Sequence, residues 1–402
     1  MVTLMSPPKS PGLEQRTGVI RASALRDMLP LVMRPGLFSF ALGLPAPELL
    51  PLVDCRTAAA HALADSKALQ YNMPSQALKR HIQHLMTLRG VNCSEEQIFL
   101  TSGAQQATHL LVNLLLQQGQ QVLVEEVAYE GLHLAIQPLK PEILTVPATP
   151  ENGPDIDAIE ARLVHGARPA FLYTVTDGHN PLGVSLSRES RRRLVQLARC
   201  FRVPIIEDDV YGFLNYDEAA LAPMRALDDE GVFYIGSFSK LLAPALRVGW
   251  VVAPAASTPC LSNLKQASDL DICTLGQLTA LAYLDAGHLP NHLTLIRREY
   301  ALRRDTMLRA LESYFPAEAR WYKPSGGMFI WVELPAEIDT VELLRFAVDS
   351  EQVAFMPGSI FAIPGQSCSR NGIRLNFTHC SPERIDDGVA RLAHVLQEFR
   401  RL

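Results

Sequence analysis

The stretch VFYIGSFSKLLAPALRVGWVVA, residues 232–253, puts the fold and the chemistry of this chain side by side. Residues 232–238 form one continuous apolar run and residues 248–253 form another. Such runs, without polar alternation, read as strands covered on both faces, as in the parallel sheets of α/β proteins. Between them lie Ser237, Ser239, Lys240 and Arg247. A lysine directly after a buried strand stands where open α/β sheets bind ligands. Two hydroxyls and a guanidinium suit a phosphate dianion. Burial and a nearby arginine would push Lys240 toward the free amine that imine formation needs. Taken singly, a lysine in a serine-rich turn is more often a solvated surface residue.

Working outward, the same kind of run recurs at residues 97–101 (QIFLT), 121–126 (QVLVEE), 170–175 (AFLYTV) and 203–208 (VPIIED). Helical patterns alternate with them. Residues 105–118 place Ala107, Leu111, Leu114 and Leu115 on one face, and residues 188–201 are entered from Ser187 as an N-cap. This alternation predicts an α/β architecture with crossover helices. After about residue 290 the pattern changes to a long charged helix (294–314), strand-like runs at 326–334 and 372–377, and a closing helix after Ser381-Pro382. The expected division is an N-terminal arm and part of a small domain at 1–50, a large domain at 51–290, and a small α+β domain at 291–402. A short helix over 23–29, stopped by Pro30, is expected in the arm.

The 402 residues are 48% hydrophobic and 20% charged, with a net charge of −5, an ordinary globular composition. That charge gives no electrostatic case for nucleic acid or an anionic membrane as partner. Seven scattered cysteines without C-x-x-C spacing indicate neither a zinc site nor a disulfide framework. The first sixteen residues lack the apolar segment of a signal peptide, and no run reaches the length of a membrane span. A cytoplasmic location is expected.

Other strand ends carry further candidates. Thr101-Ser-Gly-Ala104-Gln105-Gln106 opens a helix whose free N–H groups make an anion cradle, although such turns need Gly and Ser for their own geometry. Asp208 and Tyr211 lie in IIEDDVYGF, where a carboxylate could meet a protonated ring nitrogen or simply be a capping group. Asn180-Pro-Leu-Gly183 is a turn signal whose amide could also donate to a phenolate-like oxygen. Arg374, in the apolar run GIRLNF, wants a carboxylate: either a substrate's or that of an internal salt bridge. No G-x-G-x-x-G follows a strand, which disfavours a nicotinamide dehydrogenase.

Together these segments resemble the class I/II aminotransferases of the fold-type I superfamily that uses pyridoxal 5′-phosphate (PLP). The likeness is greatest to the 2-aminoadipate and kynurenine aminotransferase branch, which is also similar to the enzyme half of MocR-type regulators. It runs from GVIRASALR (18–26) through FSFALGLPAPELLP (38–51), LQYNMPSQALKRHI (69–82), TSGAQQA, VEEVAYEG, HNPLG, EDDVYG, GSFSK, PSGGMFIW and IRLNF. The resemblance implies that Lys240 forms a Schiff base with the cofactor and later shuttles the substrate proton. It implies that Asp208 pairs with the pyridine nitrogen, that Asn180 and Tyr211 contact the ring oxygen, and that Tyr129 stacks on the ring. Ala104, Gln105, Ser237, Ser239 and Arg247 would hold the phosphate, with Tyr71 reaching it from the neighbouring subunit of a homodimer. Arg374 would grip the α-carboxylate, helped by Asn180, with Gly43 lining the substrate pocket.

The chain departs from the family pattern at Ala104, where a serine is common, and at Leu182, where threonine is usual. Ser75 stands in place of glycine, and Thr176 where a proline often precedes the Asn-Pro turn. None of these removes a catalytic group. The implied reaction is transfer of an amino group from an α-amino acid to a 2-oxo acid, with 2-oxoglutarate or pyruvate as acceptor. The alternative is a PLP-dependent lyase or cyclising enzyme using the same site. A ligand-sensing regulator is a third reading, disfavoured because the match begins by about Gly18, which leaves no room for the DNA-binding segment that comes first in MocR-type proteins, and because the chain is not basic. Arg26 matches a position that faces the substrate side chain in aminoadipate-type relatives, although a helix-surface arginine is an ordinary alternative. Arg21, Phe38 and Phe40 are further pocket candidates.

Overall fold

Seven strands build the central sheet: β1 (Ile98–Thr101), β2 (Gln121–Glu125), β3 (Glu142–Val146), β4 (Leu172–Val175), β5 (Ile205–Asp208), β6 (Val232–Ser237) and β7 (Gly249–Val252). They come from a computed structural model that describes residues 24–217, 220–363 and 369–401, with side chains from residue 28 onward. The spatial order is β1-β7-β6-β5-β4-β2-β3. Strands β2 to β6 pair in parallel, as the continuous apolar runs predict.

The sheet is mostly parallel, as expected, with β7 the exception: it runs antiparallel to both β6 and β1. Continuous apolarity reports burial on two faces but not strand direction. The link from Ser237 to Gly249 contains only the short 3-10 turn Pro244–Leu246, too little for the crossover that a parallel return needs. The reversal places the start of β7 beside the ends of its neighbours: Gly249 faces Thr101 on one side and Ser237 on the other. Asp208 and Val175 pair one with the other on the adjoining strands. One edge of the sheet therefore gathers the ends of β1, β4, β5 and β6.

Helices cover the sheet. Ala104–Leu115 leaves β1 directly, and Arg188–Phe201 links β4 to β5. The second has the bounds its sequence predicts, with Ser187 Oγ accepting from Ser190 N–H at 3.0 Å. Strand β3 and the small hairpin of Ala148–Thr149 with Gly153–Pro154 are too short or mixed in sequence to be foreseen.

A second, antiparallel sheet has the order Arg320–Trp321, Phe329–Glu333, Gly372–Asn376, Met356–Pro357. Helices Leu289–Tyr314, Thr340–Ser350 and Pro382–Phe399 accompany it. Phe38–Ser39 pairs in parallel with Val353–Ala354, so the arm joins this part of the chain. The arm helix spans Ala24–Val32 and runs through Pro30 rather than stopping there. Proline removes one N–H donor, yet Met33 N–H still reaches Leu29 C=O at 3.0 Å and the turn closes beyond it. No described helix is long and apolar enough to cross a membrane.

Candidate active site

The gathered strand ends open into a cavity of about 280 Å³ that includes Gly43, Ala104, Gln105, Tyr129, Asn180, Asp208, Tyr211, Ser237, Ser239, Lys240, Arg247 and Arg374. Lys240 reaches it from the turn after β6, and its Nζ donates to Gly43 C=O at 2.7 Å. Burial, with help from the Arg374 and Arg247 charges, brings its ammonium down to about 8.

An anion cradle lies at one end. Gly103 takes φ +80° as the N-cap of Ala104–Leu115, so the first N–H groups of that helix are free at the cavity. That backbone conformation favours glycine, and a Cβ on Gly103 would also sit 2.6 Å from the Arg247 guanidinium. Arg247 is anchored through Ser102 C=O at 2.8 Å. Ser237 Oγ donates to Ser239 Oγ at 3.0 Å and accepts the Ser239 N–H at 3.1 Å.

Asp208 closes the opposite requirement. Its Oδ2 accepts from the Tyr173 hydroxyl at 2.7 Å, while the buried Oδ1 has no partner among the described residues. Burial raises its carboxyl to about 6, against the pull of the Tyr173 hydroxyl, the Val210 N–H and the nearby His179 ring. Tyr129 borders the cavity with its hydroxyl on Gln105 Oε1 at 3.1 Å, and Gln105 Nε2 is fixed on Gly131 C=O at 2.8 Å. Burial, followed by the Asp208 and Glu130 charges, lifts the Tyr129 phenol to about 12. Burial keeps Tyr211 above the usual phenol range as well.

Arg374 projects from strand Gly372–Asn376 between two rings, with its guanidinium carbon 4.2 Å from the Phe329 centroid and 4.7 Å from that of Phe361. It donates to Asn180 Oδ1 at 2.6 Å and to Ala41 C=O, while Nε has no partner among the described residues. No carboxylate neutralises it in an ion pair among the described residues, so the internal salt bridge is ruled out there. Burial lowers its guanidinium to about 10. Because Asn180 Oδ1 is committed to Arg374, its amide N–H₂ remains to face the cavity.

Other expectations fall elsewhere. Tyr71 is 94% exposed and lies outside the cavity, beside Leu69 and Met73 in a surface groove. Phe40 is fully buried against Gly388, and Phe38 lies under Arg384 and Arg391, so neither lines the pocket. Their alternation with polar neighbours reflects packing on helix Pro382–Phe399. Arg26 sits on the arm helix, its side chain outside the described residues, and Arg21 lies outside them altogether. Leu42, Glu130, Val175, Val210, Pro244, Phe329, Ile360 and Phe361 complete the wall without having been singled out in the sequence. Only their proximity to recognised motifs could have found them. Ser75, in place of glycine, caps helix Gln76–Leu88 through Leu78 N–H at 3.2 Å.

An amine of lowered basicity, an anion cradle and an unpartnered carboxylate in one small cavity fit PLP, which offers an aldehyde, a phosphate and a basic ring nitrogen. A further unneutralised guanidinium leaves a place for a carboxylate. Comparison with known proteins agrees. Residues 42–392 match the family model for aminotransferase class I and II. The chain is 38% identical to the 2-aminoadipate transaminase of Thermus thermophilus, over 94% of this chain and 95% of that one. It is 36% identical to aromatic-amino-acid aminotransferase 1 of Thermococcus litoralis, over 94% and 92%. The crystal structure of α-aminoadipate aminotransferase from Thermus thermophilus, complexed with N-(5′-phosphopyridoxyl)-L-leucine, superposes with a TM-score of 0.88 at 36% identity, covering 96% of this chain and 97% of that one. With fold, cavity and sequence in agreement, this chain belongs to the class I and II aminotransferases and is a PLP-dependent enzyme that transfers amino groups.

Proposed function

We propose that Lys240, Asp208 and Arg374 divide the work of transamination between an α-amino acid and 2-oxoglutarate or pyruvate. The observation that carries this reading is that Arg374, free of any carboxylate among the described residues, and Lys240, of lowered basicity, face one cavity. When bound, PLP supplies an electron sink for the charge left at Cα after proton loss. Lys240 would hold it covalently and, once displaced, take the Cα proton on Nζ and deliver it to the carbon that carried the cofactor's aldehyde, on the far side of the amino nitrogen. Asp208 Oδ1 would accept from the ring N–H. Asn180 and Tyr211 would donate to the ring oxygen, and Tyr129 would lie against the ring face. The N–H groups of Ala104 and Gln105, with Ser237, Ser239 and Arg247, would hold the phosphate. Arg374 and the Asn180 amide would fix the substrate carboxylate, with Gly43 keeping the floor low: a Cβ there would come within 3.0 Å of Phe329. Such fixation places Cα within reach of Nζ, and orientation of this kind carries much of the rate.

Leu42, Ile360 and Phe361 leave a largely apolar wall for the substrate side chain, which favours bulky aliphatic or aromatic donors. The 2-aminoadipate and aromatic-amino-acid relatives share large side chains, and an acidic one would call on Arg26. The exposed Leu69, Tyr71 and Met73 support a homodimer in which Tyr71 completes the partner's phosphate site. Residues 51–290 would form the large domain, and 291–402 the small one with residues 1–50 leading into it. We place the enzyme in the cytoplasm.

The test is a screen of amino acids as donors with 2-oxoglutarate and with pyruvate. The new amino acid should accumulate in step with donor loss, fastest for bulky apolar donors. Ammonia or pyruvate released without an acceptor would instead establish the lyase reading.

A further inference from the structure

Asp208 is held from behind by a group that the reaction does not touch. Tyr173 lies on β4, a strand buried along its whole length, and its hydroxyl meets Oδ2 at 2.7 Å. A carboxylate has two oxygens on one plane, so fixing Oδ2 fixes where Oδ1 points. Here the unpartnered Oδ1 belongs to a residue on the cavity wall. Apart from the backbone N–H of Val210, the other groups around Asp208 are committed elsewhere. The His179 ring is committed on both sides, with Nε2 on the Glu125 carboxylate and Nδ1 accepting Leu182 N–H at 3.3 Å. Glu125 in turn accepts the Thr174 hydroxyl at 2.7 Å. The phenols of Tyr129 and Tyr211 and the amine of Lys240 share the cavity with Asp208, but none of them donates to its carboxylate.

We propose that Tyr173 is a positioning residue that turns the Asp208 carboxylate into the cavity and keeps it an acceptor for the ring nitrogen. The inference rests on the reading that Asp208 meets that nitrogen. A hydroxyl donor on Oδ2 favours the charged carboxylate, which is the form that the ring N–H requires. Without it, burial is opposed only by the Val210 N–H and the His179 ring, and protonation moves to higher pH. The loss of ring binding as pH falls should then begin earlier.

The experiment compares the affinity of the cofactor-free protein for PLP and for its deaza analogue, in which carbon replaces the ring nitrogen, across pH 5–9. The analogue keeps the aldehyde and the phosphate, so Lys240 and the cradle act on both ligands alike. Wild type should prefer PLP, and Tyr173→Phe should lose about tenfold of that preference, the size expected for a hydrogen bond to a charged group. The pH below which the preference fades should rise by about one unit, and Asp208→Asn should abolish the preference with no further effect from adding Tyr173→Phe. Difluorotyrosine at position 173, a stronger donor of nearly the same shape, should move that pH downward and serves if Tyr173→Phe does not fold. An unchanged preference and pH in both variants overturns the inference, as does equal weakening of both ligands. If wild type itself does not prefer PLP, the reading of Asp208 fails first.

Discussion

Asp208 and Asp209 are neighbours in sequence, both buried, and they sit in opposite kinds of surroundings. Asp209 belongs to an internal cluster: Arg89 lies 3.0 Å from both Asp209 and Asp177, and Arg191 lies 2.7 Å from Asp177. Burial and the adjacent Asp177 and Glu207 carboxylates push Asp209 well above the usual carboxylate range, whereas the two arginines hold Asp177 below it. The cluster is neutralised by its own ion pairs, although Arg89 Nε and Nη1 and both Asp209 oxygens make no hydrogen bond among the described residues. The cavity set of Asp208, Lys240, Arg247 and Arg374 is open. Among the described residues Asp208 Oδ1 and Arg374 Nε have no partners, and no carboxylate forms an ion pair with these cations. Neither buried charge nor an unbonded polar atom therefore marks a site by itself; buried charge with no opposite charge to neutralise it does.

The largest effect should come from the open set. Lys240→Ala removes the amine that faces the cavity and with it the proton carrier, so the half-reaction with an amino acid should slow by about 10⁴-fold, the upper end for a positioned acid–base group. Single-turnover absorbance of the cofactor-loaded variant measures this, and a rate within about tenfold of wild type would sink the assignment. The same amine predicts a pH dependence. Because Lys240 is depressed to about 8, its reactive neutral form is lost as pH falls below that value. Capture of PLP by cofactor-free protein should therefore accelerate with pH and level off above about 8.

A direct contrast comes from removing one arginine from each set. Arg89→Met strips the neutralised cluster of a cation and leaves Asp177 and Asp209 facing each other, a loss of about 3–5 kcal/mol of stability. Arg374→Met removes a buried cation that has no counter-ion among the described residues, so the cofactor-free protein should be no less stable than wild type. Its kcat/KM for the amino acid should nonetheless fall by about 10²–10³-fold, as when one partner of a buried charge pair is deleted. Urea unfolding and steady-state kinetics read both variants. Equal destabilisation by the two substitutions would erase the distinction between the sets.

The same distinction explains what could be read before the fold was known. Helix Arg188–Phe201 was legible because Ser187 and the amphipathic period are local signals. The direction of β7 was not, since Gly249–Val252 is apolar throughout and only the short link to Ser237 reveals the reversal. Lys240, Arg247, Asn180 and Arg374 were legible through motifs, and the fold brings them to one cavity. Asp177 and Asp208 both follow apolar runs, and nothing local says that one is answered by Arg89 and Arg191 while the other is left open. Tyr173 was hidden for a related reason: in a strand buried on both faces, the sequence does not say which side chain leans toward the site.

The smallest expected effect tests whether the open set is completed from outside the chain. Tyr71 is almost fully exposed, and with Leu69 and Met73 it forms an apolar surface that a single chain leaves uncovered. If a partner subunit covers it and Tyr71 donates to the cofactor phosphate, Tyr71→Phe should weaken PLP binding by about tenfold, the loss of one charge-assisted hydrogen bond. The dimer should persist, because the ring that packs at the interface is retained, and sedimentation should show no change in mass. Binding of pyridoxal, which lacks the phosphate, should be unaffected. A change of oligomeric state, or equal weakening of pyridoxal and PLP, would mean that Tyr71 serves packing alone and that the cradle of Ala104, Gln105, Ser237, Ser239 and Arg247 holds the phosphate without help.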